Sequence, residues 1–298
     1  MRITVLGSLL ACLCGASMLQ AQVRQEHGAA LDSTGAIRVY SLAGQVTVEA
    51  WNRDSIHIVA IVPRGARLQA GGTRSAFKLN TYEGMPETIP VVHLHVKVPR
   101  RAEVWVKTSS APIAVRGLKG TVDLYTIEGA IEATGNPDAL RIETMRGEVA
   151  VSGTPKWLRV RSGSGDVRFA GEALDLALST VSGRITTPAG TGRGRVESVS
   201  GDVTITGLPG RGAPLEVDSH SGSVRLRVTA RPDASFVVFS ARGAISNALS
   251  SASPRTSGQS GAELQFTSGS GAARITIRTF TGGVWLNAAP PARDPRNR

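Results

Sequence analysis

Five glycines return at a fixed interval of 18 residues, Gly129, Gly147, Gly165, Gly183 and Gly201, each followed two places on by a branched apolar residue: Ile131, Val149, Val167, Ile185, Val203. Three places before each glycine stands a hydroxyl residue, Thr126, Thr144, Ser162, Thr180 or Ser198. Apolar residues precede the hydroxyl at alternate positions, as in Val122 and Leu124, Leu140 and Ile142, Leu158 and Val160, Leu176 and Leu178. Each unit therefore reads as strand, Ser/Thr-x-x-Gly corner, strand and loose turn, with period-2 alternation on both strands. The glycine is expected to supply a positive φ at the corner.

A unit with two short strands cannot bury its own apolar face, so it must stack on copies of itself. Stacking places like on like at ~4.8 Å, and the small hydroxyl residues are expected to fill a tight inner corner and bond the turn backbone. A hairpin meander would carry Asn-Gly or Asp-Gly turns at regular spacing, and none is present. The expected fold class is all-β: a single-stranded parallel β-solenoid of ~18–21-residue repeats, right-handed in preference to left-handed.

The pattern extends in both directions. Ser41 and Gly44 mark an early unit, Thr108 a second with Ala111 in the glycine position, and after Gly201 the interval lengthens to 21 at Gly222 and Gly243, with Ser219 and Ser240 before them. Thr279 and Gly282 mark a closing unit; Gly194 at an apolar position and Asn247 at an inward one depart from the pattern. The expected organisation is a signal peptide at 1–21, a lead-in at 22–36 and an N-terminal β region at 37–108 containing an irregular excursion at 63–90. Regular repeats at 109–248, a loop and closing strands at 249–288 and a disordered tail at 289–298 complete it.

Met1 to Ala21 holds one early charge, Arg2, an apolar run and a small residue at its end, which reads as a cleaved secretory signal too short for a membrane anchor. Both cysteines, Cys12 and Cys14, lie inside it, so the mature chain would carry no thiol. Leu9-Leu10-Ala11-Cys12 loosely resembles a lipobox, but the leucine before Ala11 is unfavourable and no lipid anchor at Cys12 is expected. Export to the periplasm, cell surface or exterior follows.

The candidate chemistry is sparse. His93 and His95 share one face of a strand, yet no Cys or acidic partner lies near them in sequence, so no metal is expected. Asp166 and Asp202 follow their glycines, but the same position elsewhere holds Ala130, Glu148, Arg184 and Ser223, a mixture of signs. That argues against the clustered acids of a polysaccharide lyase or hydrolase, which stays the alternative from another class. His220 between Ser219 and Ser221 lacks an orienting partner, the calcium nonapeptide is absent, and no Walker or dinucleotide-binding loop occurs. No cofactor and no catalytic residue is assigned.

The net charge of +11, carried mainly by arginine, would draw an exported surface to anionic envelope polymers or lipid headgroups. Nucleic acid is not expected, given 4% aromatic residues and export. Trp105 and Trp285 occupy outward positions and, with His93 and His95, are the candidate surface contacts.

Taken together, Gly44-x-Val46-x-Val48-x-Ala50-Trp51-x-Arg53-Asp54, the tandem Ser198-Val199-Ser200-Gly201-Asp202-Val203 units and the closing Gly271-to-Gly282 segment resemble the bacterial DUF4097 family, whose members are labelled adhesins. The resemblance implies an exported, adhesin-like β-solenoid and brings no catalytic residues with it. The reading is a non-catalytic binding or scaffold surface whose partner is an anionic envelope polymer or a protein, with peripheral membrane contact. Self-association, in a structural or envelope-sensing element that stacks end to end, is the third reading.

Overall fold

The computed structural model describes residues 22–64, 66–82, 89–228, 232–256 and 261–288, and all its regular elements are strands, 27 of them in two long sheets of 13 and 14. The expected signal peptide, the Cys12 lipobox and the tail at 289–298 lie outside the described residues. In the regular part the chain alternates between the sheets. Strands preceding a Ser/Thr-x-x-Gly corner, such as Thr121–Thr126, Ala139–Thr144 and Trp157–Ser162, lie side by side in the 14-stranded sheet. Strands following it, such as Ile131–Gly135, Val149–Gly153 and Val167–Gly171, lie side by side in the 13-stranded sheet.

The pairing is parallel and in register with the repeat: Leu124 opposes Ile142, Ile142 opposes Val160, and Ile131 opposes Val149. The period-2 alternation of both strands points every second side chain inward, so Leu124, Ile142, Val160 and Leu178 from one sheet meet Ile131, Val149, Val167 and Ile185 from the other in one continuous core. Each such side chain is sealed by its neighbours above and below. Burying one contributes about 1.5–3 kcal/mol, which an isolated unit could not obtain.

Two features depart from a uniform parallel coil. The first is at the ends. In the 13-stranded sheet, Ser55–Pro63 runs antiparallel to Val91–Pro99, and Gln22–Ala30 runs antiparallel to Ser55–Pro63. In the other sheet, Gln69–Gly72 closes one end antiparallel to Ala76–Asn80, and Ala262–Ser268 with Arg255–Thr256 closes the other. A parallel stack leaves an edge that templates further pairing; reversing the strand direction replaces that edge with one a further parallel rung does not match.

The second departure is the order of rungs. Strand Ala273–Thr279 lies between Pro214–Ser219 and Ala234–Ser240, and Val284–Ala288 lies between Val224–Val228 and Ile245–Asn247. The closing unit is thus inserted between two units that precede it in sequence. At the other end, Ala36–Ser41 packs directly on Glu103–Thr108 and Ala43–Trp51 on Ile113–Arg116, so Ser55–Pro63, Ala76–Asn80 and Val91–Pro99 form the outer strands at that end.

The irregular sequence positions have specific solutions. The void that Gly194 would leave is filled by Leu215 Cδ1, which would lie 2.7 Å from a Cβ built there. Asn247 ties up the final loop: its Nδ2 donates to Ser250 Oγ at 2.9 Å and Ala252 O at 2.9 Å, and its Oδ1 accepts from Leu249 N at 3.0 Å. Asp233 does the same for the turn that leads into the inserted unit, accepting from Ser270 N at 2.7 Å, Ser270 Oγ at 3.0 Å and Ala272 N at 3.2 Å.

The backbone N–H of Ala272 and the Ser270 hydroxyl hold the Asp233 carboxyl below its usual value of 3.8. A depressed carboxylate contributes stability that is present above its unfolded pKa and is lost as pH falls through the folded one. Protection of the 268–272 turn in hydrogen exchange should therefore fall as pH drops below 3.8, whereas an Asp233→Asn chain should lack that pH dependence. An unchanged pH profile in the variant would show that Asp233 does not anchor the turn.

Candidate binding surfaces

The corner is built differently from the sequence expectation. Of the corner glycines only Gly44 has a positive φ, 104°; Gly129, Gly147, Gly165, Gly183, Gly201, Gly222, Gly243 and Gly282 do not. Glycine is needed there because of the adjacent rung: a Cβ on Gly165 would fall on the carbonyl of Gly147, one on Gly183 on that of Gly165, and one on Gly243 on that of Gly282. Ala111, fully buried, is accepted where the neighbouring corner at Leu42 to Gly44 follows its own path. A ladder of positive-φ glycines lies instead at the opposite turn, Gly117, Gly135, Gly153 and Gly171, 18 residues apart, where the sequence reads only as a loose turn. Its spacing was the available signal.

The hydroxyls lie inside the corner and are all buried: Ser41, Thr108, Thr126, Thr144, Ser162, Thr180, Ser198, Ser219, Ser240 and Thr279. A hydroxyl can donate or accept, and both modes occur. Thr126, Thr144 and Thr180 accept from the N–H of Gly129, Gly147 and Gly183 at 3.0, 2.8 and 2.9 Å. Ser162, Ser198 and Ser219 instead donate to the carbonyls of Gly165, Gly201 and Gly222 at 2.6, 2.6 and 2.7 Å. Thr279 donates to Gly282 O at 2.7 Å, Thr108 to Ala111 O at 2.8 Å, and Ser240 accepts from Gly243 N at 2.8 Å. These hydroxyls are engaged with backbone and none is poised for nucleophilic attack.

The same holds around His220. Ser219 Oγ donates to Gly222 O at 2.7 Å and Ser221 Oγ to Val199 O at 3.1 Å, while the imidazole stacks on Phe280 at 5.1 Å with planes 16° apart. His220 and Phe280 line an open groove of about 710 Å³ with Val181, Val199, Phe239 and Arg278. Next to the hydroxyl corner, Ile127, Met145, Val181, Val199 and Phe280 form an exposed apolar column.

Outside the core, acids and bases meet across adjacent rungs. Asp123 pairs with Arg141 at 3.2 Å, Asp138 with Lys156 at 2.6 Å, Asp175 with Arg193 at 2.8 Å, and Glu128 with Arg146. Asp166 accepts from Arg184 N at 2.8 Å and lies 3.5 Å from its guanidinium; Asp202 accepts from Ser223 N at 3.0 Å and lies 3.5 Å from Arg225. These carboxylates stitch one rung to the next. Exposed pairs contribute only about 0–1 kcal/mol each, so their main effect is to hold the outer faces flat and locally neutral.

The four candidate contacts are dispersed. His93 is exposed on Val91–Pro99, and His95 on the same face has its Nε2 3.1 Å from Glu49 Oε2. Among the described residues no three metal-ligating side chains gather. Trp285 is half-buried on the 13-stranded sheet, with Arg225 4.9 Å over its ring. Trp105 lies on the other sheet, half-buried, with its ring 4.9 Å from that of Tyr40. Trp157, like every tryptophan of the chain a candidate stacking platform from sequence, lies on the same face as Trp105, and the fold adds Tyr40 and Tyr125, which sequence reasoning does not single out. Register alone could have found them, since Tyr40 and Tyr125 both precede a corner hydroxyl.

A family profile described as Toastrack DUF4097 matches residues 40–287. Among solved structures, one from Parabacteroides distasonis described as a candidate lipid-binding protein shares 10% identity, covering 90% of this chain and 97% of its own, with a TM-score of 0.42. A candidate adhesin from Bacteroides fragilis shares 8% identity, covering 90% and 98%, with a TM-score of 0.37. One from Parabacteroides merdae, also described as a candidate adhesin, shares 10% identity over 90% and 96%, with a TM-score of 0.27. No curated protein matches the chain.

Proposed function

The chain belongs to the Toastrack DUF4097 family, and on that premise we propose that it is an exported, non-catalytic binding or scaffold surface on a right-handed parallel β-solenoid with turns of ~18–21 residues. It acts in the cell envelope or outside the cell, brought there by the signal at 1–21, and its partner is an anionic envelope polymer or a protein.

One observation carries this reading: exposed polar side chains run in columns along two broad faces, with Asp166, Asp175 and Asp202 each engaged by a base one rung away. A glycoside hydrolase needs carboxylates whose environments differ and that converge on one bond. Columns of neutralised charge around a rigid core suit recognition of an extended partner instead.

The test is binding of the purified protein to anionic envelope polysaccharides, lipopolysaccharide and anionic phospholipid vesicles, at low and physiological salt. The expected result is selective binding that persists where the screening length is about 8 Å. Binding to every polyanion at low salt and to none at physiological salt would overturn a specific polymer role and leave the +11 charge as a generic attraction.

A further inference from the structure

We propose that the outer face of the 14-stranded sheet around Tyr40, Trp105, Tyr125 and Trp157 is a binding site for an acidic polysaccharide, a proposal that rests on the binding-surface reading above. The chain has only three tyrosines and four tryptophans. Two of each lie on this one face, within the adjacent strands Ala36–Ser41, Glu103–Thr108, Thr121–Thr126, Ala139–Thr144 and Trp157–Ser162. That concentration is not demanded by the core, since all four rings point away from it.

Cations accompany the rings. Lys78 Nζ lies 5.2 Å over Tyr40, Lys107 Nζ lies 5.0 Å over Tyr125, and the guanidiniums of Arg141 and Arg159 lie 5.4 and 5.0 Å over Trp157. Arg38 stands in register with Trp105 and Lys78. Such contacts hold both ring and cation in place before any ligand arrives.

The charge of this face is weighted towards cations without a carboxylate partner. Arg141 is paired with Asp123 at 3.2 Å and Arg161 with Glu143 at 3.6 Å. Among the described residues, Arg38, Lys78, Lys107 and Arg159 have no carboxylate partner, and Glu103 is the one unpaired acid beside them. On neighbouring rungs Lys156, Arg184 and Arg193 are each paired with an acid one rung away. Here the cations stay available next to half-buried rings.

A sugar ring offers a C–H face to an aromatic side chain, and a uronate, sulfate or phosphate substituent offers charge to Lys or Arg. The face supplies both within five adjacent strands, with Tyr40 and Tyr125 in one row, Trp105 in the next and Trp157 in a third. From Tyr40 to Trp157 the track crosses four strand intervals of ~4.8 Å, about 19 Å in all. A linear acidic glycan lying along the stack would meet ring and cation repeatedly, whereas a bare polyanion would gain only from the cations.

The experiment compares the purified protein with paired variants against polygalacturonate, its methyl ester, polyglutamate and single-stranded oligothymidylate, at physiological salt. The protein should bind polygalacturonate in preference to the other three. The Trp105→Ala/Trp157→Ala pair should weaken that binding by ~10-fold or more, the effect of removing a central interface contact. Trp105→Phe/Trp157→Phe should restore most of it, and Arg168→Ala/Arg227→Ala on the opposite sheet should leave it unchanged. If the alanine pair lowers the melting temperature, Lys78→Ala/Lys107→Ala, which touches the rings only from outside, carries the same expectation.

Tighter binding of oligothymidylate or polyglutamate than of polygalacturonate overturns the proposal. So does glycan binding that survives the changes on this face and is lost in the opposite-sheet pair, although the binding-surface reading then stands. Binding to the anionic phospholipid vesicles of the preceding test without binding of polygalacturonate overturns the site alone; no binding to any probe in either test overturns both.

Discussion

Replacing Gly165 by alanine is expected to destabilise the stack by about 3 kcal/mol, the upper end of the usual cost of overpacking. The added Cβ would meet the carbonyl of Gly147, and the carbonyl of Arg146 lies next to it. Both belong to the neighbouring rung's backbone, so relief requires moving a strand that is bonded on its far side as well. Gly207 provides the contrast. It has φ of 87° and open space where a Cβ would go, so Gly207→Ala should cost only the left-handed strain, about 1–2 kcal/mol. Urea midpoints give the ranking, and hydrogen exchange should place the Gly165 effect in the rungs on either side. A larger loss at Gly207 than at Gly165 would show that dihedral strain, and not rung spacing, dictates the corner.

A chain ending at Gly271 should lose far more than its last rung. In a stack ordered by sequence, removing the final unit would expose one new edge and leave the rest intact. Here residues 273–288 supply the parallel neighbour on both sides of the gap, and Ile275, Ile277, Val284 and Leu286 within them are fully buried. Each such side chain contributes about 1.5–3 kcal/mol. Residues 234–247 would then be held to the body by chain connection alone. Limited proteolysis followed by mass spectrometry should find cleavage within 234–247 in the truncated protein and none there in the full chain. Equal protection in both would mean that 234–247 can repack directly on 214–228.

The alternation Val122-x-Leu124 and Ile131-x-Ala133 with an 18-residue return was enough to read all-β stacking, because like residues separated by a constant interval can be buried together only by superposition. The role of the corner glycines was read through the wrong term. Positive φ is a property of one residue, visible in principle from sequence; the carbonyl of Gly147 beneath Gly165 is a property of the neighbour and becomes visible only once rungs are stacked. The inserted position of 273–288 was illegible for a related reason: Thr279-x-x-Gly282 carries the same signature as Ser240-x-x-Gly243, so nothing local specifies which sits next to Ser219-x-x-Gly222. The antiparallel ends use strands such as Ser55–Pro63 that alternate like any other. For the candidate surface, Trp105 was found by its outward register, but its relation to Tyr40 depends on a contact between strands more than 60 residues apart in sequence.

The inserted rung also sets an order of events for a chain that emerges from its N terminus. Rungs from 103 to 228 can be laid down one upon another as each is released, every new strand finding its neighbour already in place. Residues 234–247 come out before the strands that will separate them from that stack. They must wait as an unattached segment, or dock on 214–228 in the wrong place and be displaced when 273–288 arrive. A slow step of assembly is therefore expected at the C-terminal end, unimolecular, as a competition between two occupants of one edge. A refolding experiment should show it as a late phase seen only by probes near Phe236 and Trp285.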